Sequence, residues 1–348
     1  MTSFLSRRQT KQYVCISVFV STALFLFFIS SRFQEKLIDK HIYLNTTNEI
    51  RYKQFCQVVE ERIINEKLHN TSIEINPTDN SIPYSYIFWR SSPLLPRLIT
   101  QCEHAIYMNM LSLLTEHVFK KHNIPYMMMA ASLLGSYTHH DMLPWDDDVD
   151  ILVPLSSRYR LQKIILGELS TEPYSIILMQ MHNSRDYDKV FFSWCPHTSR
   201  VAWRFPFIDI FYHGENSTHI WLVGKPSNCP VSRRDVYPLV RRPFGPLWLS
   251  APREPMAQFE SRKMKNIETK CFQNSYSHRY ERKTNDGNLQ VDCHTLRQFY
   301  PYVERKCTAN KCTEILKFGN DSITHTLTYN YSYRTYLYAE RNTSYKAC

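Results

Sequence analysis

The sequence predicts an α/β (α+β) domain, a mixed sheet flanked by helices, behind an N-terminal transmembrane helix. Three observations carry this. From about Pro96, short apolar runs that suit strands alternate with stretches of helical apolar spacing. The order of those runs suits a mixed sheet covered by helices. Upstream, Tyr13 to Ser31 is nearly all apolar or small, carries no charge, and is just long enough to span a bilayer.

The elements follow in chain order. Residues 1–12 read as a short cytosolic tail, 13–31 as a signal anchor and 32–95 as a lumenal stem with helical character from Glu49 to His69. The main domain is expected over 96–300. Ile106, Met110, Leu113, Leu114 and Val118 recur at helical spacing, and Asn123 and Pro125 break the helix they predict near Lys121. Tyr126 to Ala130 reads as a short strand, and Ser132 as the cap of a short helix running through Ser136. Val149 to Val153 is a second strand, and Ser156 or Ser157 can cap a helix to Leu169. Tyr174 to Met181, Val190 to Trp194 and Phe205 to Phe211 read as further strands. Arg262 to Lys270 reads as a charged, solvated helix, and 301–348 as a C-terminal lumenal extension.

Composition narrows the function. Hydrophobic residues make up 43% of the 348, enough for a sizeable core. Only 7 glycines occur and no Gly-rich phosphate-loop string, which excludes the common nucleotide-binding loops. The net charge of +10 is scattered over the chain, favouring an anionic small substrate over nucleic acid. Sequons begin at Asn45, Asn70, Asn216, Asn320, Asn330 and Asn342, all after the apolar segment. That asymmetry predicts a single-pass type II protein of the Golgi or endoplasmic reticulum membrane, with its C-terminal part lumenal. The ten cysteines agree with an oxidising compartment. Cys15 falls in the apolar segment. Nine others remain, so at least one is free, intermolecular or metal-bound, and the pairing stays open.

The informative stretch is LLGSYTHHDMLPWDDDVDILVP, residues 133–154. Asp148 and Asp150 head an apolar strand, where residues i and i+2 share a face. Two carboxylates on one face repel, and a hard divalent cation, Mg²⁺ or Mn²⁺, relieves the repulsion. Asp209, inside the apolar string PFIDIF, is a costly ionised group unless paired or metal-bound, and it is the candidate third ligand and proton acceptor. Gly135 lets a backbone approach a phosphate and Ser136 adds a hydroxyl, so this pair is expected on the donor-phosphate side. Asp146 and Asp147 are expected to orient the loop, to bind a second ion or to face solvent. His139 and His140 are expected on a loop surface, and Trp145 in packing or at a pocket wall.

The Gly-Ser pair, the Asp-Val-Asp string eleven residues later and the downstream FIDIF strand resemble the polymerase-beta-like nucleotidyltransferase superfamily. The longer string LLGSYTHHDMLPWDDDVDI is similar to the LicD family, which includes bacterial phosphocholine transferases, fukutin and fukutin-related protein. DVYPLVRRP, Asp235 to Pro243, resembles a later segment of that family. His139 and His140 stand where its members often carry Lys or Arg, and a Tyr-Gly string is missing around Phe259. The resemblance covers roughly 100–260 and implies a nucleotidyltransferase-like mixed sheet. It further implies transfer of a phosphorylated alcohol, such as phosphocholine or ribitol phosphate, from a CDP-linked donor to a glycan or glycoprotein hydroxyl. Asp148, Asp150 and Asp209 then match the metal-binding and catalytic carboxylates, and Gly135 and Ser136 the phosphate-side turn. Arg233, Arg234, Arg241 and Arg242 could meet donor phosphates or lie on the surface. Two other functions fit the anchor and the acidic string: a glycosyltransferase using a nucleotide-sugar, and a non-catalytic lumenal protein with a structural cation.

Overall fold

The structure is a computed structural model and describes residues 47–61, 91–182, 186–198, 201–224, 230–285, 287–308, 311–319 and 322–330. The chain divides into two units, Met1–Arg51 and Tyr52–Cys348, and the fold set out here is that of the second. The expected membrane segment 13–31, the tail before it and most of the stem lie outside the described residues. Among the described residues no helix is long and apolar enough to cross a membrane.

Helix α1 covers 47–61, and its Cys56 is disulfide-bonded to Cys102 in α2 (Gln101–Leu113). The start of α2 is written in the sequence as Thr-x-x-Glu. Glu103 N donates to Thr100 Oγ1 at 3.2 Å and Thr100 N to Glu103 Oε2 at 2.7 Å, a reciprocal capping box. Of the predicted stripe, Ile106, Met110, Leu114 and Val118 are all 0% exposed, and Leu113 is partly buried against the same core. The last turns, Leu114–Lys120, widen to π-helical pitch before Asn123 (φ 52) reverses the chain.

The central sheet contains β1 (Met127–Met128), β2 (Val149–Pro154), β3 (Ile176–His182), β4 (Asp186–Phe192), β5 (Ile208–Glu215), β6 (His219–Leu222) and β7 (Val231–Ser232). Its order is β1-β2-β5-β4-β3, with β6 added to β5 and β7 to β6. β2 and β5 run parallel and the other pairs antiparallel, so the sheet is mixed as expected. Alternation fixes its two faces. Val149, Ile151 and Val153 of β2 and Ile208, Ile210 and Tyr212 of β5 are completely buried in the main core. Burying each contributes roughly 1.5–3 kcal/mol. Asp150, Leu152, Asp209 and Phe211 point the other way. There Leu152 joins a second apolar cluster with Met127, Met129, Ile220 and Val236, and Phe211 packs against it.

Helix α3 (Ala130–His139) lies between β1 and β2 in sequence and packs against β2. Helix α4 (Arg158–Ile164) follows β2 and continues as a π turn to Leu169. After the short α5 (Arg233–Val236), β8 (Val240–Phe244) and β9 (Leu247–Ala251) form a hairpin leading to α6 (Pro255–Ser261). Two small ladders follow, β10 (Lys270–Gln273) with β13 (Leu289–Asp292) and β11 (Tyr276–Ser277) with β12 (Arg282–Lys283). A meander of β14 (Tyr302–Cys307), β15 (Lys311–Phe318) and β16 (Ser322–Asn330) ends the described chain.

Three expectations change. The strand expected from Val190 begins at Asp186, because its charged residues have partners inside the protein: Asp188 is fully buried and accepts from Arg158, Gln162 and Tyr212. The helix expected over Arg262–Lys270 is a run of turns. The helix precedes it, as α6, and left-handed residues at Lys263 (φ 60) and Asn266 (φ 54) prevent its continuation. Ser132 does not cap α3. Met129 occupies the N-cap, and Ser132 sits in the first turn.

Cys271–Cys293 and Cys307–Cys312 are the other disulfides among the described residues, and Cys195 is a buried free thiol. Cys229 and Cys348 lie outside the described residues.

Candidate metal centre

Asp148 immediately precedes β2, Asp150 is its second residue, and Asp209 is the second residue of β5. Parallel register sets Asp150 directly opposite Asp209. Each of Asp148, Asp150 and Asp209 offers a carboxylate oxygen, and these oxygens lie within 4.8 Å of one another. Asp148 and Asp209 are only 8% and 5% exposed. Burial, then Asp209 and Asp147, pushes Asp148 up to about 8 against the pull of Lys189. Burial and the two neighbouring carboxylates raise Asp150 well above the ordinary range, with His278 and Arg262 pulling back. Burial raises Asp209 too, and Lys189 opposes it. The cluster is therefore short of positive charge, and its oxygen donors suit a hard divalent cation.

Several neighbours escaped the sequence reading. Lys189 stands on β4 opposite Asp209, and its Nζ lies 2.8 Å and 3.1 Å from the two Asp209 oxygens. His278 Nε2 lies 3.2 Å from Asp148 Oδ2. Ser132 Oγ accepts from Asp150 N at 2.8 Å, and Met129 N donates to Asp150 O at 3.3 Å, which sets the first turn of α3 beside the cluster. No spacing rule leads to these residues. Lys189 and His278 reach the site through strand pairing and a loop more than a hundred residues downstream, and Ser132 had read as a cap.

Asp147 orients the loop. Its carboxylate accepts from Ser277 Oγ (3.0 Å), His278 N (3.1 Å) and Arg279 N (3.0 Å). The segment carrying His278 is thus pinned to the acidic string. Arg279 is anchored at the other side by Glu103 of the α2 capping box, at 2.6 Å from Oε2. Asp146 remains beside the cluster, raised by burial and by Asp148.

The Gly135–Ser136 pair lies elsewhere than expected. Both residues are inside α3, past its first turn. A Cβ on Gly135 would sit 2.3 Å from Asp141 O and 2.7 Å from Leu143 N, so glycine is needed for loop backbone to cross the helix. Ser136 is 0% exposed and donates to Pro243 O at 2.7 Å. Their observed partners are protein backbone, and the α3 turn tied to Asp150 is the one around Ser132.

His139 and His140 are also not on a loop surface; both are buried. His139 Nδ1 donates to Pro301 O at 2.5 Å, and His140 Nε2 meets Glu314 Oε2 at 2.7 Å. Arg242, one of the candidate phosphate ligands, is buried and paired with the same Glu314. Trp145 is packed as expected, its Nε1 donating to Phe272 O at 3.1 Å, and it lines a pocket with Tyr300, Tyr302 and Arg297.

Asp148 and Asp150 at the head of β2 and Asp209 at the head of the parallel β5, with α3 packed against β2, thus form a three-carboxylate cluster on one face of a mixed sheet. Residues 123–254 match the family described as LicD/FKTN/FKRP, nucleotidyltransferase domain. The match includes all three carboxylates and Lys189. No curated protein matches the chain.

Proposed function

We propose that the protein transfers a phosphorylated alcohol, such as phosphocholine or ribitol phosphate, from a CDP-linked donor to a hydroxyl of a glycan or glycoprotein. The observation that carries this reading is the convergence of Asp148, Asp150 and Asp209 within the stretch that matches the LicD/FKTN/FKRP family. The donor set fits Mg²⁺ or Mn²⁺: three carboxylates, buried enough to repel one another, with no thiolate among them. An ion held there would neutralise the diphosphate and make its phosphorus easier to attack. Asp148 and Asp150 would hold it from one strand and Asp209 from the next. Asp209, whose burial strengthens its hold on a proton, would also take the proton of the acceptor hydroxyl. The first turn of α3 offers backbone amides beside Asp150, where an anionic group is favoured.

The same reading places the chemistry in the lumen of the Golgi or endoplasmic reticulum, with residues 13–31 as the anchor. Three disulfides support an oxidising compartment. The test is a donor screen with Mg²⁺ and Mn²⁺ that sets CDP-alcohols against UDP- and GDP-sugars. Turnover of a CDP-alcohol, lost in Asp148→Ala, is the expected result. Turnover only with a sugar nucleotide would overturn the proposal in favour of a glycosyltransferase.

A further inference from the structure

Lys189 is the one buried side-chain cation in direct contact with the acidic cluster among the described residues. It is 2% exposed, and both Asp209 oxygens lie within hydrogen-bond distance of its Nζ. Three aromatic rings surround the same nitrogen: Phe207 at 3.5 Å, Trp203 at 5.0 Å and Tyr187 at 5.5 Å from their centroids. Ring faces favour a cation and leave it few alternative positions. Trp203 is itself fixed, its Nε1 donating to Glu281 at 2.9 Å. Strand pairing sets the base of the side chain, since Lys189 and Asp209 are register partners.

This placement has two consequences that differ in sign. A divalent cation entering among Asp148, Asp150 and Asp209 meets a fixed positive charge already bonded to one of its ligands. Lys189 therefore weakens cation binding. A cation bound to Asp209 would draw that carboxylate's charge away from the ammonium, which would remain among the aromatic rings. An anionic phosphate beside the cation then restores its charge-assisted hydrogen bonds. We propose that Lys189 serves as the cluster's internal counter-cation until a divalent ion binds, and then as a ligand of the substrate's diphosphate. The inference rests on the functional reading above. It makes cation and diphosphate bind in mutually supporting fashion, since each relieves the charge that the other leaves unpaired.

The test uses the full-length protein and two probes, Mn²⁺ alone and inorganic pyrophosphate in saturating Mn²⁺, each followed by calorimetry. Lys189→Met keeps the length of the side chain and packs a thioether among the rings. The expected result is about tenfold tighter Mn²⁺ binding, because a unit charge a few ångströms away is removed from a partly screened site. Pyrophosphate binding is expected to weaken about tenfold or more in the same variant. Affinities that fall together, or a change in only one, would overturn the inference. Should Lys189→Met not fold, ¹³C-lysine spectra of the wild-type protein decide instead. The Lys189 Cε signal is expected to shift on adding Mg²⁺ and again on adding pyrophosphate, and an unmoved signal overturns the proposal. Asp148→Ala separates the two levels. If wild type binds no Mn²⁺, or Asp148→Ala binds it equally well, the functional reading fails and this inference with it. If Asp148→Ala abolishes binding and Lys189→Met changes nothing, only the inference fails.

Discussion

Glu314 should be among the most costly single residues to neutralise, although it lies in the C-terminal meander. Its carboxylate is 0% exposed. It accepts from Arg242 Nη2 at 3.0 Å and 2.9 Å, Arg305 Nε at 3.0 Å, His140 Nε2 at 2.7 Å and Tyr329 OH at 2.9 Å. Burial alone would raise its pKa, yet Arg242 and Arg305 hold it well below the carboxylate range. A depressed pKa gives stabilisation that is fully present above the ordinary value near 4.5 and lost only as the pH falls through the lowered one. Glu314→Gln keeps the volume and removes the charge, leaving two largely buried guanidinium groups without their shared counter-ion. Breaking a buried pair from one side costs about 3–5 kcal/mol. At about 2–4 °C per kcal/mol for a domain of this size, Tm should fall by roughly 10 °C at pH 7. Calorimetric melts of wild type, Glu314→Gln, Arg242→Met and the double variant form a cycle. The double variant should lose much less than the sum of the singles. A loss for Glu314→Gln under about 1 kcal/mol, or strict additivity, would refute the argument.

Three further outcomes are expected. In chelator, wild-type Tm should decline between about pH 6.5 and pH 8, because folded Asp148, raised from 3.8 to about 8, keeps a proton that the unfolded chain has released. Below that window His139, lowered from 6.5 to about 4, acts in the opposite sense, adding stability as the pH rises. Asp148→Asn should flatten the decline, and a wild-type Tm that is constant over the window would count against the buried cluster. Asp147→Ala should lower stability by about 2–3 kcal/mol in urea titrations, through loss of three hydrogen bonds to a carboxylate. If it instead abolishes Mn²⁺ binding with unchanged stability, Asp147 is a ligand and not a brace. Gly135→Ala should destabilise by about 1–3 kcal/mol, since its Cβ would meet the Asp141 carbonyl at 2.3 Å. A neutral effect would show that the 141–143 loop can shift freely.

The sequence made legible what depends on local period. The stripe of α2, the head of β2 and the apolar alternation of β5 follow from neighbours in the chain, and they bring Asp148, Asp150 and Asp209 into view. Groups that act across the fold were not legible. Lys189 lies in DYDKVFF, which reads as polar until Asp188 and Lys189 find buried partners on other elements. His139 and His140 read as loop residues because Glu314 and Pro301, their partners, lie more than 160 residues away. Gly135 and Ser136 show the reverse error. Small residues at a helix suggested room for a phosphate, but backbone from 141–143 and Pro243 fills that room.

The same alternation that builds the core also builds the acidic centre. Val149, Ile151 and Val153 in β2 and Ile208, Ile210 and Tyr212 in β5 leave no exposed surface on their face of the sheet. A slip of one residue in either strand would turn Asp150 or Asp209 into that core and expose an apolar set instead. Register is therefore enforced by several buried side chains on each strand. The carboxylates are held together against their own repulsion by packing on the opposite face. Lys189, opposite Asp209 on the next strand, is placed by the same alternation that places the acid.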